Sequence, residues 1–206
     1  AVKRLFPQAK LAIGPAVDDG FYYDFDIDEK FTPDDLKKIE DEMKKIVKED
    51  LELNRFTLPK AEAVAKFTAE NEPYKVELAE GIADGEEISF YSQGDFTDLC
   101  AGAHLMSTGA VKAFKLTSAT GAYWRGDSSK KMLCRIYGTA FPKASELDAH
   151  LTMLEEAKKR DHNKLGRELE LFTTVDCIGQ GLPIMLPKGT KILQILQRFV
   201  EDEEER

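Results

Sequence analysis

Apolar positions along this chain change period several times, and each change marks an element. Leu11 and Ile13, then Phe21, Tyr23, Phe25 and Ile27, alternate with polar residues on either side of Asp18-Asp19-Gly20. That is the pattern of a hairpin closed by a glycine turn. Thr32-Pro33-Asp34-Asp35 reads as a helix start, with an N-cap, proline in the first turn and acids at the positive end of the helix dipole. Leu36, Ile39, Met43, Ile46 and Val47 continue it as one stripe to about Glu49. A shorter helix is predicted from Lys60 to about Asn71. Between Ile88 and Phe141 aromatic and β-branched residues dominate and glycines punctuate them, which predicts a sheet. A long helix opens at Ser145, turns Leu147, Leu151, Leu154 and Ala157 inward, and fades near Leu165. The stretch from Thr173 to Pro187 is broken by glycine and proline. A last amphipathic helix begins near Pro187 and carries Ile192, Ile195, Leu196 and Phe199. Ala1 to Phe6 reads as the end of a helix stopped by Pro7, and Arg206 falls inside a helical pattern, so both ends are expected to be cuts within a longer protein.

These elements predict an α+β fold of antiparallel or mixed sheets with packed helices. The apolar share of 42% is enough for a proper core. No run of about 18 apolar residues is present, so no membrane span is expected. The start has no apolar signal segment. Three cysteines, Cys100, Cys134 and Cys177, are odd in number and far apart, which excludes a disulfide framework and suits a reducing cytoplasm. The net charge of −9 argues at first against nucleic acid, but the acids gather at Asp34 to Asp50 and Glu201 to Glu205. Lys112, Lys115, Arg125, Lys130, Lys131 and Arg135 leave the middle of the chain able to meet phosphate.

The densest chemistry is Asp98-Leu99-Cys100-Ala101-Gly102-Ala103-His104, a carboxylate, a thiol and an imidazole within seven positions. Such groups move protons or position an attacking water. A buried cysteine and a satisfied histidine are the blander alternative, and two ligands are too few for a structural zinc. If the segment is helical, Cys100 and His104 share a side; a turn at Gly102 would also let them converge. In a strand, Asp98 and Cys100 would share a face. Trp124 and Arg125, between Gly121 and Gly126, could stack on and clamp an end of nucleic acid. Lys75, in Pro73-Tyr74-Lys75, follows a turn residue and offers an ammonium for an anion, and in Phe21-Tyr22-Tyr23-Asp24 one tyrosine can be core while the other presents its hydroxyl to a pocket.

Taken together, several runs resemble the editing region of the threonyl-tRNA synthetase family. They are Ala12-Ile13-Gly14-Pro15, Asp19-Gly20-Phe21-Tyr22-Tyr23-Asp24, Pro73-Tyr74-Lys75, Asp98-Leu99-Cys100 with His104, Phe114-Lys115-Leu116, Gly121 to Asp127 and Arg135 to Phe141. Glu155 to His162, Lys164-Leu165-Gly166 and Glu168 to Phe172 follow in the same order. The resemblance implies an editing domain at 1–142, with the Cys-x-x-x-His loop in its part 88–142. A linker helix at 143–172 and the start of a class II synthetase core at 173–206 would follow.

The family charges tRNA(Thr) and hydrolyses serine attached by mistake. One missing methyl is worth only about 1–3 kcal/mol of discrimination, so a second site clears the wrong ester. The resemblance implies that Cys100, His104 and Lys75 are catalytic, that Asp98 and Tyr23 hold the seryl group, and that Arg125 and Trp124 bind tRNA. It also implies that the imidazoles and Lys75 divide the roles of proton carrier and charge stabiliser, and that the site works without metal or cofactor. The family's other half-site, His-x-x-x-His, would lie just upstream of Ala1. Ala101 and Ala103 stand where the family usually has Arg and Pro. ATP, Mg2+ and zinc would belong to the absent catalytic core of a parent synthetase, which would dimerise through that core. Two alternatives to hydrolysis are a non-catalytic module that binds the tRNA acceptor end and a zinc-binding domain of the alanyl type.

Overall fold

Strand β3 (Gly20–Asp26) is the strand on which the first part of the molecule is built. It pairs with the short strands β1 (Lys10–Leu11) and β2 (Ala16–Val17) on one side and β8 (Met132–Phe141) on the other. β7 (Ala113–Tyr123) closes the five-stranded sheet against β8, with a register shift between Leu116 and Ser118. The predicted hairpin is therefore present, but its first arm is two strands, not one. Pro15 has no N–H for the ladder, and Gly14-Pro15 separates the arms, while Ala12 N and Asp24 N still bond across the gap. Asp19 of the predicted turn lies outside the described residues. In this computed structural model those are all residues except Asp19, Asp84, Asp176, Gln180 and Arg206.

Helix α2 (Pro33–Glu49) begins as its sequence requires. Thr32 and Asp35 form a reciprocal capping box, and Pro33 opens the first turn. Its apolar stripe covers the sheet, where Ile39 packs with Leu11, Phe25, Phe31, Leu116, Cys134 and Ile136. Val2, from the four-residue helix α1 (Val2–Leu5), joins the same core.

The predicted sheet from Ile88 to Phe141 is in fact split between two sheets. β5 (Glu87–Gln93) and β6 (Phe96–Leu99) join β4 (Asn54–Pro59) in a separate three-stranded antiparallel sheet, whereas β7 and β8 join β3. Phe90 explains the division. It pairs with Phe56 and Leu99 across the small sheet and is fully enclosed by Ala63 and Phe67 of helix α3 (Lys60–Ala69). A second helix on this side, α4 (Pro73–Glu80), falls where the sequence reads as a turn. Pro73 marks its first turn, and its eight residues are too few to display a clear stripe. Trp124, Leu133 and Ala12 pack against Tyr74 and Leu78 and so tie α4 to the large sheet.

Contacts divide the chain into two compact units, Ala1–Leu147 and Asp148–Arg206. The helix predicted to run unbroken to near Leu165 is interrupted. α5 (Ala144–Lys159) and α6 (His162–Glu168) are separated by Arg160 and Asp161. Asp161 leaves the helical region and its carboxylate accepts from Lys164 N at 2.8 Å, so it starts a new helix instead of continuing the old one. β9 (Phe172–Thr173) and β10 (Ile184–Met185) pair, and α7 (Pro187–Glu204) follows, starting at the predicted proline. Along α7, Ile192, Ile195, Leu196, Phe199 and Val200 are all exposed. Among the described residues no helix is long and apolar enough to cross a membrane.

Candidate active site

Three side chains singled out by the sequence meet although their elements are far apart in the chain. Asp98, near the end of β6, accepts a hydrogen bond from the Tyr23 hydroxyl of β3 at 2.5 Å on Oδ2. On Oδ1 it accepts from its neighbour Leu99 N at 2.8 Å and pairs with Lys75 Nζ of α4 at 2.6 Å. The Lys75 side chain is only 3% exposed, against 16% for Asp98. An ammonium enclosed to this degree is retained only where a counter-charge is held at contact distance. The ammonium also stands 5.4 Å from the centre of the Tyr23 ring. Burial first, then the Asp98 charge and hydrogen bond, push the Tyr23 phenol well above its ordinary value, so at neutral pH it is a fixed donor.

Local sequence explains each placement. Gly14 runs over the Tyr23 ring so closely that a Cβ there would lie 2.1 Å from a ring carbon, so the ring can seat only against glycine. Alternation along β6 sends Leu99 to the apolar face with Phe90 and Asp98 to the other with Tyr91. Cys100 continues that ladder, donating its N–H to Ser89 O at 3.1 Å while its carbonyl accepts from Ser89 Oγ at 2.6 Å. Cys100 thus falls on the Asp98 side, as a strand reading of this run requires, and is near enough to be the weakest of the groups that raise Tyr23.

Beyond Cys100 the chain is neither helix nor strand up to Met106, and Ala101 to Met106 are exposed. Gly102 takes a left-handed φ of 88° directly over Tyr91, where a Cβ would lie 2.3 Å from the hydroxyl. His104 rests edge-on against the same Tyr91 ring, with centroids 4.2 Å apart. No hydrogen bond or ring contact joins His104 to Lys75 or Tyr23; its ring contact is with Tyr91, the cross-strand partner of Asp98. Among the described residues no three His, Cys, Asp or Glu side chains converge as metal ligands would.

Trp124 and Arg125 lie in a turn after β7 and form a second cluster. Trp124 is 2% exposed, and its ring is covered by Tyr74, 5.0 Å away, and by the Arg125 guanidinium at 5.5 Å. Its Nε1 donates to Glu77 of α4 at 2.9 Å, and Arg125 and Lys130 each stand 3.4 Å from the same carboxylate. The indole bond, then the cations, hold the Glu77 carboxyl below its usual range. Arg125 itself takes a left-handed conformation, φ 54°, and keeps a half-exposed side chain. Helix α4 therefore serves both clusters, with Lys75 turned to one and Glu77 to the other.

Sequence reading passed over two residues at this site. Tyr91 carried no signal beyond strand alternation. Glu72 carried one: an acid immediately before the proline of a helix start. It is 4% exposed, accepts from Leu11 N at 2.7 Å and pairs with Lys3 at 2.7 Å.

Comparison with known proteins fits this layout. Residues 88–137 match the family described as the threonyl and alanyl tRNA synthetase second additional domain. They hold β5, β6, the Cys100–His104 loop, β7 and most of β8. Over all 206 residues the chain is 63% identical to a threonine–tRNA ligase of Clostridium perfringens (strain SM101 / Type A), covering 32% of that protein. It is 64% identical over 199 residues, 97% of the chain, to that of Clostridium tetani, covering 31% of it. It is also 60% identical over 203 residues, 98% of the chain, to that of Acetivibrio thermocellus, covering 32%. The chain spans about a third of the length of the curated relatives it matches. Residues 88–137 therefore carry the second additional domain described for threonyl and alanyl tRNA synthetases, and the chain as a whole is similar to about a third of several threonine–tRNA ligases.

Proposed function

We propose that residues 1–142 form the editing domain of a longer threonine–tRNA ligase and hydrolyse serine from mischarged tRNA(Thr). The observation that carries this reading is the half-buried Tyr23–Asp98–Lys75 cluster, with Cys100 on the same side of β6. In the reaction a water oxygen bonds to the ester carbonyl carbon, the carbonyl becomes an oxyanion, and the ribose oxygen then leaves and takes up a proton. Asp98 Oδ1 is taken up by Lys75 and Leu99 N, whereas Oδ2 accepts only from Tyr23 and keeps a lone pair for the hydroxyl or ammonium of a seryl group. Lys75 supplies fixed positive charge beside the developing oxyanion, and His104, exposed and close by through Tyr91, supplies a proton carrier. Cys100 orients the water. Arg125, seated over Trp124, is placed to contact phosphate at the acceptor end.

The linker at 143–172 and the start of a class II core at 173–206 complete this reading. The exposed apolar face of α7 is assigned to the dimer of the longer protein. ATP, Mg2+ and zinc are assigned to the core that lies beyond these residues. The test is deacylation of Ser-tRNA(Thr) and Thr-tRNA(Thr) by the full-length protein. Preferential hydrolysis of the seryl ester, lost in Asp98→Asn, is the expected result. Equal affinity for uncharged tRNA with no hydrolysis would leave a binding module in its place, and stoichiometric zinc on this domain would favour the alanyl type.

A further inference from the structure

We propose that Glu72 is a positioning residue that seats Lys75 against Asp98, through its pair with Lys3 and without touching substrate. This inference rests on reading Lys75 and Asp98 as the hydrolytic pocket. Glu72 grips three elements, α1, β1 and α4, by its carboxylate and its backbone carbonyl. Its carboxylate is 4% exposed and takes Leu11 N of β1 on one oxygen and Lys3 Nζ of α1 on the other, each at 2.7 Å. The same Lys3 ammonium also donates to Pro7 O and Ala9 O, at 3.2 and 3.0 Å, so it has no freedom to follow a moving partner. The Glu72 carbonyl accepts from Lys75 N and Val76 N, both at 3.1 Å, and so opens α4. Pro73 stiffens that first turn by fixing its φ. Lys75 lies one helical turn beyond the anchored carboxylate. The axial and rotational setting of α4, and with it the reach of Lys75, is therefore referred to β1 and α1 by a single side chain.

Charge points the same way. Lys3, Glu72, Lys75 and Asp98 alternate in sign and sum to zero. The Tyr23 phenol, between them, is held up by Asp98 and, more weakly, by Glu72, so Glu72 lies near enough to be felt at the pocket. Neutralising Glu72 leaves Lys3 without its counter-charge, and the strut loses its reason to stay closed.

The experiment uses the full-length protein with Glu72→Gln and Lys3→Met, assayed for Ser-tRNA(Thr) hydrolysis well below each variant's own Tm. Each variant is also crystallised. Glu72→Gln keeps an oxygen for Leu11 N and removes only the charge. It is expected to lower kcat about 10- to 100-fold, as a displacement near 1 Å does, with KM changed less than about twofold. In its crystal structure the Lys75–Asp98 contact opens beyond hydrogen-bond distance. Lys3→Met keeps Glu72 on Leu11 N and is expected to give a smaller fall in kcat, which also serves if Glu72→Gln does not fold. A lower Tm with unchanged kcat and an intact Lys75–Asp98 contact overturns the proposal, as does a loss confined to KM. If the wild-type protein hydrolyses no Ser-tRNA(Thr), the reading of the pocket fails. The Lys75–Asp98 distance in the variants still decides the positioning role.

Discussion

Tyr23, Lys75 and Asp98 come from three elements and meet in a half-buried cluster, whereas Cys100 and His104, four residues apart, are held by different partners, Ser89 and Tyr91. Cys100 is pinned to Ser89 as an extension of β6, but His104 sits in an exposed loop and rests its ring on Tyr91. Packing fixes the first group. A buried ammonium and a shared carboxylate allow one arrangement, because every alternative leaves a charge without a partner. The second group is set by chain proximity and one aromatic contact, so it can adjust when substrate arrives. On the function proposed above, the rigid part would hold the seryl group and keep a positive charge beside the oxyanion, and the accessible imidazole would carry the proton.

Substitutions should keep the two groups apart. Removing Lys75 is the largest expected change in stability, because Asp98 would keep its charge and lose its counter-ion. Lys75→Met is expected to cost about 3 kcal/mol in urea denaturation. A loss under about 1 kcal/mol would show that the pair is not structurally coupled, and the contrast would collapse. His104→Ala should do the reverse. Its stability is expected within about 0.5 kcal/mol of wild type, while Ser-tRNA(Thr) hydrolysis falls about 100-fold, measured under single turnover. Retained hydrolysis in this variant would move the proton carrier elsewhere.

Tyr23→Phe sharpens the comparison from within the rigid group. It deletes a donor to a charged acceptor and is expected to cost about 1.5 kcal/mol at neutral pH. Its alkaline behaviour carries a sign that can be checked. The folded phenol holds its proton well above the ordinary value near 10, so the folded state binds more protons there than the unfolded one. That contribution is whole below the unfolded value and disappears as pH rises through the folded one. The decline in stability above pH 10 should therefore be shallower in Tyr23→Phe than in wild type. The smallest effect is expected outside both groups: Arg125→Gln should weaken tRNA binding a few-fold and lower the salt slope by about one. An unchanged slope would remove Arg125 from the phosphate contacts.

Much of this was legible in the chain. The Thr32-Pro33-Asp34-Asp35 start, the α2 stripe and the α7 start at Pro187 needed only short-range signals, because capping and helical period act within a turn or two. Alternation through Asp98, Leu99 and Cys100 likewise set which residues share a face. Signals of equal length misled elsewhere. The β-rich stretch from Ile88 to Phe141 read as one sheet, since strand character carries no address for its partner. Asp161 broke a helix that the surrounding leucines and lysines support.

Sequence by itself picked out Tyr23, Lys75, Asp98, Cys100 and His104 as candidates, determined where most helices begin, and put Asp98 and Cys100 on one face on the condition that the run is a strand. Tertiary structure alone decided that Lys75 of α4 meets Asp98 of β6 beneath Tyr23, that the only tryptophan is a core residue seating Arg125, and that Glu72 ties α4 to β1. The physical reason is the range of the forces involved. Caps and periods act along a few residues of backbone, but a buried charge selects its partner only after packing has expelled water and brought distant elements together.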